Sequence, residues 1–183
     1  MRRLIFQFLI TTLILNIYFQ QSCYAQPKAK TPVVPASAVE VPLGGNTWKS
    51  GNHKQGGRID KTGITQWTDP ENTFTTYVRV EKPGSLKLWL RLQVPEGKSR
   101  LRVTILGKSR EIRVTGNSWQ DYYAGEWQVK TPGYLAIQLA GVNKTGDQFA
   151  EVASLKLAGE AVDENIVFVK NNEGNFFYWG RRG

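Results

Sequence analysis

One cysteine and one histidine among 183 residues exclude much chemistry before any pattern is read. Cys23 falls inside an N-terminal leader, and no cysteine follows it. An exported domain made from the rest has no disulfide to brace it and must stand on its core, which is feasible at this size. Neither a Cys-His pair nor a histidine-rich zinc site can be assembled around His53 alone. A serine triad built on it has no Gly-x-Ser-x-Gly elbow to receive it. His53 lies in the polar, glycine-rich "KSGNHKQGG" and reads as a surface residue. Glycine-rich phosphate loops are missing, and no segment carries the apolar stripe of a helix.

What is there begins with the leader, "MRRLIFQFLITTLILNIYFQQSCYAQ", in which two arginines precede an apolar run that ends in Cys23-Tyr24-Ala25. It reads as a secretory signal peptide, residues 1–25, cleaved after Ala25. The rival reading is a membrane anchor. The run from Leu4 to Phe19 is broken by Gln7, Thr11, Thr12 and Asn16, and it falls short of the roughly 20 residues of a span. A lipidated cysteine wants an apolar residue three positions before it, where Gln20 stands. The expected location is therefore secreted, periplasmic or cell-surface, with no membrane span once the leader is removed.

Residues 26–38, which hold "QPKAKTPVVPAS", read as a Pro/Ala/Lys linker. The formal charge is +9, or +7 without Arg2 and Arg3. Its basic residues are scattered along strands rather than gathered beside stacking rings, so nucleic acid is not an expected partner.

From Thr73 the period is two. "SLKLWLRLQV" sets Leu86, Leu88, Leu90, Leu92 and Val94 against Lys87, Trp89, Arg91 and Gln93. "FTTYVRV", "RLRVTIL", "REIRV", "YLAIQLAG" and "ASLKLAG" alternate likewise, with Lys82-Pro83-Gly84, Pro95-Glu96-Gly97, Gly107-Lys108, Thr131-Pro132-Gly133 and Thr145-Gly146-Asp147 as turns between them. Short half-buried strands at this spacing predict an all-β fold, an antiparallel β-sandwich of jelly-roll type over residues 39–163. Residues 164–183 add a last strand and a tail, Phe176, Phe177, Tyr178 and Trp179. Four large rings need something to pack against. Either they fold back on the sandwich or they mark a junction to a second domain.

The aromatic-rich turns carry the functional signal. "TGNSWQDYYAGEW" reads as a loop and places Trp119, Tyr122, Tyr123 and Trp127 beside Asn117, Gln120, Asp121 and Glu126. Sugars present C–H faces that stack on flat rings, and their hydroxyls need polar partners at the rim. Trp127 alternates with Val129 and reads as core, whereas no strand period explains Trp119 and Tyr122. "GITQWTDPENTF" offers Trp67 with Gln66, Asp69 and Asn72, and "LGGNTWKSGNHKQGG" offers Trp48 with Asn46 and Asn52. Two carboxylates suffice for glycoside cleavage. Asp121 with Glu126, and Asp69 with Glu71, are the pairs to weigh, with turn residues as the plainer reading.

"YVRVEKPGSLKLWLRL", "VTGNSWQDYYAGEW", "TPGYLAIQLAG" and "ASLKLAG" together resemble carbohydrate-binding modules of the galactose-binding-like β-sandwich superfamily. "VPLGGNTW" and "NEGNFFYWGRRG" are also similar to segments of an uncharacterised secreted family typical of Bacteroidetes, in which this module precedes a second domain. The first resemblance implies a ligand-lining tryptophan at Trp119. It also implies a structural calcium held by carboxylates near the first and last strands, for which Glu40, Asp147 and Glu151 are the candidates. An Asn expected just before the final strand is replaced by Phe149-Ala150-Glu151.

Three readings follow. The first is a non-catalytic module that binds a polysaccharide or other glycan, with Trp119, Tyr122 and Trp67 stacking and Asn117, Gln120, Asp121 and Glu126 bonding hydroxyls. It needs no catalytic cofactor and works beside a separate or C-terminal catalytic domain. The second is an accessory domain that docks a partner through its aromatic tail. The third is a small glycosidase.

Overall fold

Leucines that alternate with charged residues become strands buried on one side. The computed structural model describes residues 31–52 and 55–169. The leader, the first part of the linker, His53 and the aromatic tail lie outside the described residues. The described residues contain twelve strands: β1 Val39–Pro42, β2 Thr47–Ser50, β3 Arg58–Asp60, β4 Gly63–Thr65, β5 Thr73–Val80, β6 Gly84–Gln93, β7 Lys98–Ile105, β8 Lys108–Thr115, β9 Gln120–Val129, β10 Gly133–Lys144, β11 Glu151–Ala158 and β12 Val167–Phe168. No helix among these residues is long and apolar enough to cross a membrane.

The strands form two six-stranded sheets. The first runs β3-β4-β11-β6-β9, with β1 also on β11. The second runs β12-β5-β10-β7-β8, with β2 also on β5. The strand pairs in both sheets are antiparallel. The molecule is the antiparallel β-sandwich that the alternation predicts. Leu86, Leu88, Leu90 and Leu92 of β6 face Val103, Ile105, Leu135, Ile137 and Leu139 of the second sheet's strands in one core, all buried. Nonpolar surface withdrawn from water is the main force holding the two layers together.

β9 departs from the sequence reading. The stretch read as a loop through Trp127 is a strand from Gln120 on. The register against β6 shifts at Ala124, with Leu88 opposite Gly125 but Trp89 opposite Tyr123. A bulge inserts one residue and inverts the alternation beyond it, which hides the strand from a search for period two. The β7–β8 hairpin turns on Leu106 and Gly107, at φ of 53° and 71°. Positive φ at both central residues matches the twist of a two-residue hairpin.

The first sheet's outer face is partly covered. Trp89, opposite the leucines as its alternation demands, is only 1% exposed. Its indole N–H donates to the carbonyl of Pro32 at 2.9 Å, and its ring lies 5.2 Å from that of Tyr123. Pro32 belongs to the stretch read as a linker, so this part of it lies against the sheet rather than serving as a free spacer.

Candidate functional site

Four residues, Gly116–Trp119, carry the chain from β8 at the edge of the second sheet to β9 at the edge of the first. Several bonds fix this crossing. Val94 N–H donates to the Gly116 carbonyl at 2.8 Å, and Thr115 Oγ1 donates to the Gly97 carbonyl at 3.1 Å. The Tyr122 hydroxyl donates to the Thr115 carbonyl and accepts from the Thr115 amide. Within the loop, Gln120 Nε2 donates to Ser118 Oγ at 3.1 Å. On this anchored loop the Trp119 ring stays 38% exposed, with Asn117 and Gln120 also exposed beside it.

The other candidates divide between structural roles and different places. Tyr122 packs against the core and holds the loop through its hydroxyl, so it is a strut rather than an open stacking surface. Asp121 points to the first sheet's outer face. It accepts from Lys156 Nζ at 2.9 Å and lies 3.6 Å from the Arg91 guanidinium, while its Oδ1 is buried and has no hydrogen-bond partner.

Trp67 is fully buried. Its ring sits 4.9 Å from Phe74 and 5.4 Å from Phe149, and its N–H donates to the Asp69 carbonyl. It is core, and the stacking role expected for it is withdrawn. Its neighbours follow suit: Asn72 is buried and donates to the Gln55 carbonyl, while Asp69 caps the amide of Glu71. In the third group, Asn46 is buried and braces the β1–β2 turn through the Pro42 carbonyl at 2.7 Å. Trp48 is 48% exposed and meets Tyr77 edge-on at 5.6 Å.

Glu126 lies opposite Lys87 and Asp121 opposite Arg91, four residues apart on β6. At about 3.3 Å per residue that sets their backbones roughly 13 Å apart along the strand, and Asp121 is turned to Lys156 and Arg91. Glu126 instead lines a cleft of about 470 Å³ at the open edges of β8 and β9, together with Lys108, Ser109, Arg110, Trp127 and Gln128. There Arg110 donates to the Glu126 carbonyl and lies 5.5 Å over Trp127, whose N–H bonds the Lys108 carbonyl. Trp127 is buried, as its alternation predicts. Gly125 permits this packing, because a Cβ there would stand 2.2 Å from Arg110 Cδ.

The calcium ligands expected at Glu40, Asp147 and Glu151 are not gathered. Among the described residues no group of three or more His, Cys, Asp or Glu is placed to hold a metal. Glu40 lies opposite Lys156 and accepts from Ser154 Oγ at 2.5 Å. Glu151 accepts from Gln93 at 2.7 Å. Asp147 is exposed in the β10–β11 turn. The register of β1 on β11 is the reason: it sets Glu40 five residues from Glu151.

Sequence reasoning missed Arg91 and Lys156 as partners of Asp121. Alternation places both on the outer face, but only strand order and register bring them to one carboxylate. It also missed Tyr77 beside Trp48, which again depends on pairing β2 with β5.

The fold is similar to that of several solved structures. Against the Podospora anserina GH26-CBM35 β-(1,4)-mannanase the TM-score is 0.53 at 15% identity, covering 72% of this chain and 29% of that one. Against the CBM36-1 domain of a multidomain xylanase from the Trinervitermes trinervoides hindgut metagenome it is 0.49 at 18% identity, covering 68% and 99%. Against a family 35 carbohydrate binding module from Clostridium thermocellum it is 0.46 at 16% identity, covering 66% and 98%. At such identities the likeness concerns the fold alone, and the chain spans only 29% of the mannanase's length. No curated protein matches it in sequence. The family described as Domain of unknown function (DUF5077) matches residues 41–162, and the chain belongs to that family.

Proposed function

We propose that this chain is an exported, non-catalytic glycan-binding module whose stacking surface is Trp119, with Asn117 and Gln120 bonding sugar hydroxyls at its rim. The observation that carries this reading is the exposed indole of Trp119 on a loop tied down on both sides. A ring held ready on a rigid loop meets a sugar face with little ordering cost, which is where affinity is gained. Exposed rings with polar neighbours are also what a ligand of alternating C–H and hydroxyl surface requires. Asp121, locked by Lys156 and Arg91, borders the loop as a fixed acceptor. The engagement of Asp121 by Lys156 and Arg91 supports binding without turnover. A separate catalytic domain then acts on the captured polysaccharide.

The test is a glycan array probed with Gln26–Gly183, followed by titration of each hit while tryptophan emission is recorded. Binding that shifts the emission supports the proposal. Silence across plant, host and bacterial glycans contradicts it.

A further inference from the structure

Basic residues that are scattered along the chain meet at one corner of the second sheet. On β7, Leu101 and Val103 face the core, so Lys98, Arg100 and Arg102 face out. On β8, Val114 faces the core, so Glu111 and Arg113 face out. Register sets Arg100 directly opposite Arg113, Arg102 opposite Glu111, and Lys98 opposite Thr115. Like charges directly across a ladder destabilise it, so the fold gains nothing from the Arg100–Arg113 pair.

The partners run out as well. Glu111 is the only carboxylate on these two strands. Arg102 takes it through Nη2 at 2.8 Å and Nε at 3.1 Å. Arg100 Nε lies 3.5 Å from the same carboxylate, buried and without a hydrogen bond. Arg113 has no ion pair among the described residues. From β10, Ala140 stands beside Arg102 and Asn143 beside Arg100, so no acidic neighbour offsets the charge there. Glu96 and Asp147 belong to the turns that flank β7 and β10 rather than to this face. Arg79, on the far side of the sheet, is tied to Glu81 at 2.5 Å. Four cations therefore share one carboxylate at this corner, and the donors of Arg113 stay open.

The corner adjoins the Trp119 loop. Arg113 stands two residues, roughly 7 Å, before Thr115, and the loop begins at the next residue, Gly116. A ligand that extends from Trp119 along β8 meets Arg113 and then Arg100. The planar guanidinium fork matches the paired oxygens of a carboxylate or a sulfate ester. Nucleic acid fits less well, because β7 and β8 hold no aromatic ring on which bases could stack.

We infer that the Trp119 surface continues into an anion site and that its ligand is an acidic polysaccharide, whose carboxylate or sulfate groups seat on Arg100 and Arg113. This rests on the glycan-binding reading and narrows it to glycans that carry fixed negative charge.

The test is calorimetric titration of the full chain with two matched pairs: polygalacturonate against its methyl ester, and dextran sulfate against dextran. The charged member of at least one pair should bind about ten-fold tighter than its neutral partner, and the pair that shows it tells carboxylate from sulfate. Arg113→Gln breaks no ion pair within the fold and should bring that preference within about two-fold. Added salt should shrink it in the unmodified chain. Equal affinity within both pairs, or no binding to any of the four, overturns the inference. So does a preference unchanged in Arg113→Gln, or duplex DNA bound as tightly as the charged polymer, which marks a general polyanion surface. Trp119→Ala separates the inference from the reading beneath it. Binding that depends on Trp119 but shows no charge preference defeats the inference alone. A charge preference kept at full affinity in Trp119→Ala upholds the arginine site and defeats the stacking role of Trp119.

Discussion

Trp67 and Trp119 sit in similar surroundings in the sequence and end in opposite ones in the structure. Each is flanked by Gln, Asp or Asn and by turn residues. Trp67 has its faces covered by Phe74 and Phe149 and no exposed surface. Trp119 keeps more than a third of its surface in water. Local composition marks both as aromatic turns, and only tertiary packing separates a core filler from an exposed ring. The polar neighbours divide the same way. Asn72 braces a turn from inside, while Asn117 remains at the surface.

The largest effect that would sharpen this contrast is Trp67→Ala. Removing a fully buried indole should cost about 3–5 kcal/mol in a denaturant melt; a loss below 1 kcal/mol would break the comparison from the core side. Tyr122→Phe should cost about 1 kcal/mol, the value of its lost hydrogen bond to Thr115. It should also weaken any ligand bound at Trp119 by loosening the loop, whereas unchanged affinity would show that the strut does not position the ring. Trp89→Phe should lose at least about 1 kcal/mol, from its bond to Pro32 together with the smaller buried ring, with faster amide exchange in residues 32–38 as the readout. Trp119→Ala should cost less than Trp67→Ala, because more than a third of the Trp119 surface is already in water.

The smallest effect is a pH dependence. Burial, then the nearby charge of Glu126, raises the Tyr123 phenol above the ordinary tyrosine value of 10.0. The folded state thus prefers the neutral phenol. Its contribution is fully present below pH 10.0 and declines as pH rises from there through the raised value. Tyr123→Phe should flatten the alkaline slope of the melting temperature and remove a late phase of phenolate absorbance. An unchanged slope and absorbance profile would refute the assignment.

Much of the fold was legible because alternation is local. Leu86 to Val94 announce a half-buried strand without reference to anything distant, and the sandwich follows from several such strands. The bulge at Ala124 was not legible, since one inserted residue inverts the period and makes β9 look like a loop. The site was legible only in part. The exposure of Trp119 was legible because no strand period explained it, but the burial of Trp67 depends on Phe149, which lies 82 residues away. The calcium set failed for a similar reason, because the register of β1 on β11 is invisible in the residues that make it. Charge partners such as Lys156 and Asp121 also meet across strands, where no spacing in the chain predicts them.

The most direct test compares Trp119→Ala with Trp48→Ala by calorimetric titration of a glycan that the wild-type chain binds. Loss of a central stacking ring should cost about 2 kcal/mol, or roughly 30-fold in Kd, at Trp119. Trp48→Ala should leave Kd within about two-fold. Full affinity in Trp119→Ala, or a loss confined to Trp48→Ala, would contradict the assignment of the binding surface.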